Sequence, residues 1–192
     1  MIKQTGKDFV NLPDSDPDHV LGDYTGAGVI FGTTGGVMEA ALRTAYSFIT
    51  KENLGALEFE DIRGLDGVKE LSIEVAGSKV NVAVAHGLGN VMSVMNRVRD
   101  ARDRGEPSPY DFIEVMACPG GCAGGGGQPY GVTNEIRAAR AQGLYQDDRE
   151  HEFRLSHENP GVQKLYKDFL GEPLSHKAHE CLHTHYVKRT TG

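Results

Sequence analysis

The sequence has no tryptophan, only 3 cysteines in 192 residues, and 7% aromatic residues. Three cysteines with no extracellular cue argue against a disulfide framework. Basic residues are in deficit: 20 Lys+Arg against 27 Asp+Glu leaves a net charge of −7, which disfavours a general nucleic-acid footprint and leaves no nucleic-acid partner to expect. No apolar run approaches the roughly 18 residues of a membrane span. The N-terminal MIKQTGKDFVNLPDSD lacks the apolar core of a signal peptide. A cytoplasmic location is the expectation, although a periplasmic chain exported with a partner would share these features.

What the chain has in excess is glycine, 25 residues. They keep no three-residue period, which excludes collagen, and patterned apolar runs argue against disorder. Twelve of them fall in two patches. One holds Gly22, Gly26, Gly28, Gly32, Gly35 and Gly36, and the other Gly120, Gly121 and Gly124 to Gly127. Such patches mark tight turns or close backbone approaches.

The element pattern is α/β. Residues 9–21 are rich in Pro and Asp and read as irregular, and 22–36 as a glycine-rich strand or loop. A helix is predicted over about 37–50, with Val37, Ala41, Ala45 and Phe48 as its buried face. LSIEV (71–75) and VNVAVAH (80–86) alternate as a strand pair around an AGSK turn. A second helix is predicted from Asn90, as N-cap, to Arg104, with Val91, Val94, Met95 and Val98 inward and Gly105 as its stop. A third strand, DFIEVMA (111–117), runs directly into CPGGCAGGGGQPYG. The remainder is polar and helical, with a loop at Asn159-Pro160.

That cysteine–glycine segment carries the chemistry. Cys118 and Cys122 leave a strand in a turn that Pro119, Gly120 and Gly121 allow to curl. Such a turn aims two thiolates at one soft metal centre, and glycine amides are free to hydrogen-bond to sulfur. The following glycines let backbone lie against a bulky inorganic group where a Cβ would collide. A C-x3-C spacing alone is equally compatible with two buried structural thiols. A structural zinc or a cubane cluster needs four protein ligands, and this motif supplies two.

EVMACPGGCAGGGGQP closely resembles the last cysteine motif of the FeFe-hydrogenases. GAGVIFGTTGGVMEAALRTAY resembles an earlier stretch of the same catalytic domain, and LYKDFLGEPLSHKAHECLHTHY the family's small-subunit-like C-terminal segment. The resemblance implies one lobe of a two-lobed catalytic domain, a mixed twisted sheet flanked by helices, over residues 1–145. It implies a helical small-subunit-like segment over 146–192. The implied cofactor is a 4Fe-4S cluster bridged to a 2Fe subcluster that carries carbonyl, cyanide and a dithiolate. Position by position, Cys118 matches a cubane ligand and Cys122 the ligand that also bridges to the 2Fe unit. Met116 and Phe31 match the apolar residues at the catalytic diiron site. Gly32, Gly35, Gly124 and Gly125 are expected to lie against the cofactor. The implied reaction interconverts dihydrogen with two protons and two electrons, with ferredoxin or a similar carrier as electron partner.

The family's TSCCPxW-type and PCxxKxxE-type motifs, which supply the other two cubane cysteines, the proton-delivering cysteine and a cyanide-holding lysine, are absent from this sequence. The chain therefore reads as the C-terminal half of the domain, needing an N-terminal half in cis or in trans and inactive alone. Hydrogenase-like proteins of the iron–sulfur assembly or prelamin-binding kind, and sensory or interaction modules, are the rival readings. Among weaker signals, His176, His179 and His183 at helical spacing beside His185 belong to a packed C-terminal element more readily than to a metal site. Cys181 reads as a core substitution. Gly35-Gly36 at a helix start offers an anion site, though close packing is the stronger reading. Arg97, Arg99, Arg102 and Arg104 read as a solvated mixed-charge face that would also suit an acidic electron carrier. His86 reads as structural.

Overall fold

In the computed structural model, residues 1–16, 22, 24–52, 58–75 and 77–188 are described. The fold is α/β, built on a three-stranded mixed sheet. Strands β1 (Val68–Val75) and β2 (Ser78–His86) form an antiparallel hairpin whose register pairs Val75 with Ser78. The connection is thus two residues, shorter than the AGSK turn of the sequence reading, and Ser78 and Lys79 belong to β2. Gly77 takes φ 78°, as tight hairpins require, while Ala76 lies outside the described residues. A helix, α3 (Leu88–Asp103), carries the chain from β2 to β3 (Phe112–Met116), which therefore pairs parallel to β2.

Strand alternation sorts the core into two layers. Val82 and Val84 face α2 (Gly36–Thr50) and meet Met38, Leu42 and Ile62, whereas Ala83 and Ala85 face α3 and meet Val94. With both faces covered, β2 is buried over its last five residues, and each fully buried Val or Leu contributes about 1.5–3 kcal/mol. The inward face predicted for α3 is the observed one, with Val94 buried and Val91 packed beside it. Its start is not. The helix begins at Leu88 after Gly87, and Asn90 turns its amide back to donate to the His86 carbonyl at 2.8 Å.

The face predicted for α2 is overturned. Ala41, Ala45 and Phe48 are exposed, and the buried side chains are Met38, Glu39, Ala40, Leu42 and Arg43. Apolar periodicity misplaces this helix because its inward face carries an ion pair. Arg43 donates to Glu39 at 2.6 Å and to Asp148 at 2.8 Å, with all three side chains fully buried. Asp148 belongs to α4 (Asn134–Glu150), which packs across α1 (Gly26–Val29). Arg63 and Arg154 extend the network, to Glu39 at 2.7 Å and to Asp148 at 2.7 Å. The glycine-rich stretch before α2 is a short helix and a 3-10 turn, with no strand among its described residues.

Beyond α4, Asn159 opens a helix and is not merely part of a loop. Its side-chain oxygen accepts from the Gly161 and Val162 amides at 2.8 and 3.1 Å, with Pro160 at the first helical position of α5 (Pro160–Leu165). The short α6 (His176–Leu182) buries only Ala178. Cys181 is exposed, which corrects its reading as a core substitution: a seven-residue helix that docks through one alanine leaves position 181 outward. The rings of His179 and His183 stack at 4.4 Å, and no group of three or more His, Cys, Asp or Glu able to hold a metal occurs among the described residues. No described helix is long and apolar enough to cross a membrane.

Candidate metal centre

The site begins where β3 ends. Glu114, Met116 and their neighbours are carried by a strand whose alternation sends Glu114 and Met116 to the α2 side. Directly across the sheet, Glu114 pairs with Val84, and Val84 with Lys69, so the two charged side chains flank one valine on that face. The Glu114 carboxylate accepts from the Gly35 amide at 2.6 Å and the Met38 amide at 2.7 Å. The anion at the start of α2 is thus an internal side chain, and the unsatisfied amides of a helix N-terminus are occupied. Gly35 takes φ 91° and packs against the Ile62 carbonyl, and a Cβ on Gly32 would lie 2.8 Å from Leu144. Those close approaches explain why both positions lack side chains.

Lys69 is buried and donates to the carbonyls of Gly64 at 2.9 Å and Thr34 at 3.4 Å. Burial pushes its ammonium down to about 8, against the opposing pull of Glu114 and Asp66. The Thr34 amide in turn donates to the Gly120 carbonyl at 3.3 Å, which joins α2's approach segment to the cysteine turn. Across this region His86 ends β2 beside Met116, with its Nε2 3.1 Å from the Leu65 carbonyl.

The turn itself runs from Cys118 to a 3-10 turn over Cys122–Gly124, with Gly120 and Gly121 at φ 78° and 82°. The Gly121 amide donates to the Cys118 carbonyl at 3.0 Å, and the Gly125 amide to the Cys122 carbonyl at 3.0 Å. These bonds curl the chain so that both cysteines lie on one loop. Each is a free thiol, Cys118 partly buried and Cys122 exposed. A Cβ on Gly121 would lie 2.8 Å from the Thr34 nitrogen and 2.9 Å from the Met116 sulfur, so Met116 packs directly on the turn. A Cβ on Gly125 would lie 3.1 Å from the Cys118 sulfur. Phe31, within the first glycine patch, is 44% exposed.

Two arginines of α4 hold the loop from the other side. Arg140 donates to the Ala123 carbonyl at 2.9 Å, and Arg137 lies across the glycines: a Cβ on Gly124 would be 2.6 Å from its Nε, and one on Gly120 3.0 Å from its Cδ. Neither arginine stood out in the sequence. The only signal was the pair of glycines that make room for one of them. The donor set fits half of a cubane: two soft thiolates on a loop whose glycines leave space beside sulfur, with a thioether packed behind.

The same chain matches two known family descriptions in succession. Residues 1–126 match the iron only hydrogenase large subunit, C-terminal domain, and residues 134–189 match the iron hydrogenase small subunit. The chain belongs to the iron-only hydrogenase family. It is 50% identical over 190 residues to the NADP-reducing hydrogenase subunit HndD of Solidesulfovibrio fructosivorans, covering 98% of this chain and 32% of that protein. To iron hydrogenase 1 of Clostridium pasteurianum it is 43% identical over 193 residues, covering 98% of this chain and 33% of that one. It also resembles Protein NAR1 of Arabidopsis thaliana, at 31% identity over 203 residues, covering 100% of this chain and 41% of that protein. A solved structure of FeFe-hydrogenase HydA1 from Chlamydomonas reinhardtii superposes with a TM-score of 0.64 at 42% identity, covering 97% of this chain and 52% of that one. The chain thus spans about a third of the length of each of these two curated hydrogenases.

Proposed function

We propose that this chain supplies two thiolate ligands to the active cluster of a hydrogenase, Cys118 to a 4Fe-4S cubane and Cys122 to the same cubane and, as a bridge, to a 2Fe subcluster. The observation that carries this reading is the single loop that presents both free thiols with Met116 packed against it and glycine where a side chain would crowd sulfur. When bound, such a cluster supplies the reversible interconversion of dihydrogen with two protons and two electrons. The chain's own residues bind and shield. Cys118 and Cys122 ligate as thiolates, Gly124 and Gly125 leave backbone room, and Gly32 and Gly35 shape the approach to α2. Met116 and Phe31 form an apolar wall that excludes water from the diiron side. The remaining ligands and the proton-delivering groups come from an N-terminal half, and a ferredoxin or similar carrier exchanges electrons. The exposure of Cys122 and Phe31 supports a site completed by a further segment.

Identities of 43–50% to the two hydrogenases, against 31% to NAR1, favour this reading over an iron–sulfur assembly role. The test combines this chain with a hydrogenase N-terminal half, reconstitutes iron and sulfide, then adds the 2Fe unit. Expected are iron uptake, infrared bands of iron-bound carbonyl and cyanide, and hydrogen evolution from the assembly, all lost in Cys122→Ser. Hydrogen evolution from this chain alone would overturn the requirement for a second half. A loaded assembly with no such bands and no hydrogen would point to the assembly or sensory role.

A further inference from the structure

Arg137 and Arg140 sit one helical turn apart on α4 and approach the cysteine loop from the segment that matches the small subunit. Arg140 spends one donor on the Ala123 carbonyl. Arg137 gives its Nη1 to Asn134 at 2.7 Å, while its Nε is buried and has no hydrogen-bond partner. Neither guanidinium forms an ion pair among the described residues. This contrasts with Arg43, Arg63 and Arg154, each paired with a carboxylate on the far end of the same helix or beside it. A partly buried cation without a counter-charge is unfavourable unless an anion arrives to meet it. The space next to Arg137 is that of the glycines flanking both cysteines, since Gly120 and Gly124 each leave room for its side chain. A cluster held by thiolates is an anion, and charge and hydrogen bonds around its sulfurs set its potential.

We infer that Arg137 is a positioning residue for the cluster: its unpaired guanidinium is the counter-charge of the thiolate-bound cubane, supplied by the small-subunit-like segment, and it holds the cluster's reduction potential up. Arg140 acts beside it by fixing the loop through Ala123. The inference rests on cluster binding at Cys118 and Cys122 and adds a role to a segment that contributes no ligand.

The experiment uses the reconstituted assembly of this chain with its N-terminal half and compares wild type, Arg137→Gln and Arg137→Lys by redox titration followed by electron paramagnetic resonance. A side chain that supplies charge predicts that Arg137→Gln lowers the reduced-to-oxidised ratio of the cubane at a fixed poise by tenfold or more, which for a one-electron couple is about 59 mV. Arg137→Lys restores most of that ratio. Thermal unfolding of the same assemblies before reconstitution supplies a reading independent of the cluster. There Arg137→Gln is expected to leave the midpoint nearly unchanged, because no ion pair is lost and only the exposed hydrogen bond to Asn134 goes. A loaded Arg137→Gln assembly that titrates like wild type, or a Lys variant that behaves like Gln, overturns the inference while leaving cluster binding intact. A large fall in the unloaded midpoint overturns it as well, by showing a merely structural side chain. A wild-type assembly that takes up no cluster overturns both readings together.

Discussion

A single methyl group at position 121 measures how tightly the cysteine loop is held. Gly121 combines φ 82° with ψ −159°, a region reserved for glycine, and its Cβ would press on the Thr34 nitrogen and the Met116 sulfur. Gly121→Ala is expected to destabilise by about 1–3 kcal/mol, seen as a lower urea midpoint at unchanged slope. Gly126→Ala, whose Cβ would meet nothing within 4 Å, is the control and is expected to stay within about 0.5 kcal/mol. Equal midpoints for the two variants would refute the close approach. The cysteine turn was legible in the sequence because the motif is local, with two thiols and the glycines that make room beside them within eight positions. Arg137 and Glu114 were not, because each acts on a partner brought near only by folding. Nothing local singles out Glu114 within DFIEVMA, and only the helix start it accepts from reveals why a carboxylate is buried there.

Among the elements, the sheet face under α2 carries an unusual load. Lys69, Val84 and Glu114 lie side by side across β1, β2 and β3, so a buried ammonium and a buried carboxylate bracket the central strand. Since burial brings Lys69 down to about 8 from the ordinary 10.5, the unfolded chain holds a proton that the folded chain has released between those values. Stability therefore rises with pH across that window, by at most about 1.4 kcal/mol per pH unit from this group. Urea unfolding of wild type and Lys69→Met at pH 7.5 and 10 checks it: the wild type is expected to gain on the variant as pH rises. A constant difference would refute the shift. The three strands, the helix between the second and third, and the helical character of the remainder followed from alternation and spacing, whereas the parallel pairing of β3 with β2 came only from the fold. The inward face of α2 did not, because Glu39 and Arg43 occupy it and an apolar periodicity cannot register a buried ion pair.

For the whole molecule, the pair that Arg43 makes with Asp148 ties α2 to α4. Arg43 on α2 and Asp148 on α4 connect the sheet-bearing body to the helical segment, with Arg63 and Arg154 closing the network. Burial works to raise the Asp148 carboxyl, but hydrogen bonds and charge from Arg43 and Arg154 outweigh it and hold the group below its ordinary range. A lowered carboxylate contributes stability that is present above about pH 4 and lost as pH falls through its folded value. Asp148→Asn is thus expected to destabilise strongly at pH 7 and progressively less toward pH 2, read from thermal midpoints; a gap that does not narrow in acid would count against it. Arg43→Met, which strands Glu39 and Asp148 without their shared partner, is expected to cost about 3–5 kcal/mol at pH 7.

The loop that presents the cysteines ends before the helix that supports it begins, and the two family matches divide in the same interval, between residues 126 and 134. A gene interrupted there would place both thiols on one polypeptide and Arg137 and Arg140 on another. Such halves would be separable in the genome yet bound to change together, since Arg140 of one donates to the Ala123 carbonyl of the other and Arg137 fills the room that Gly120 and Gly124 leave.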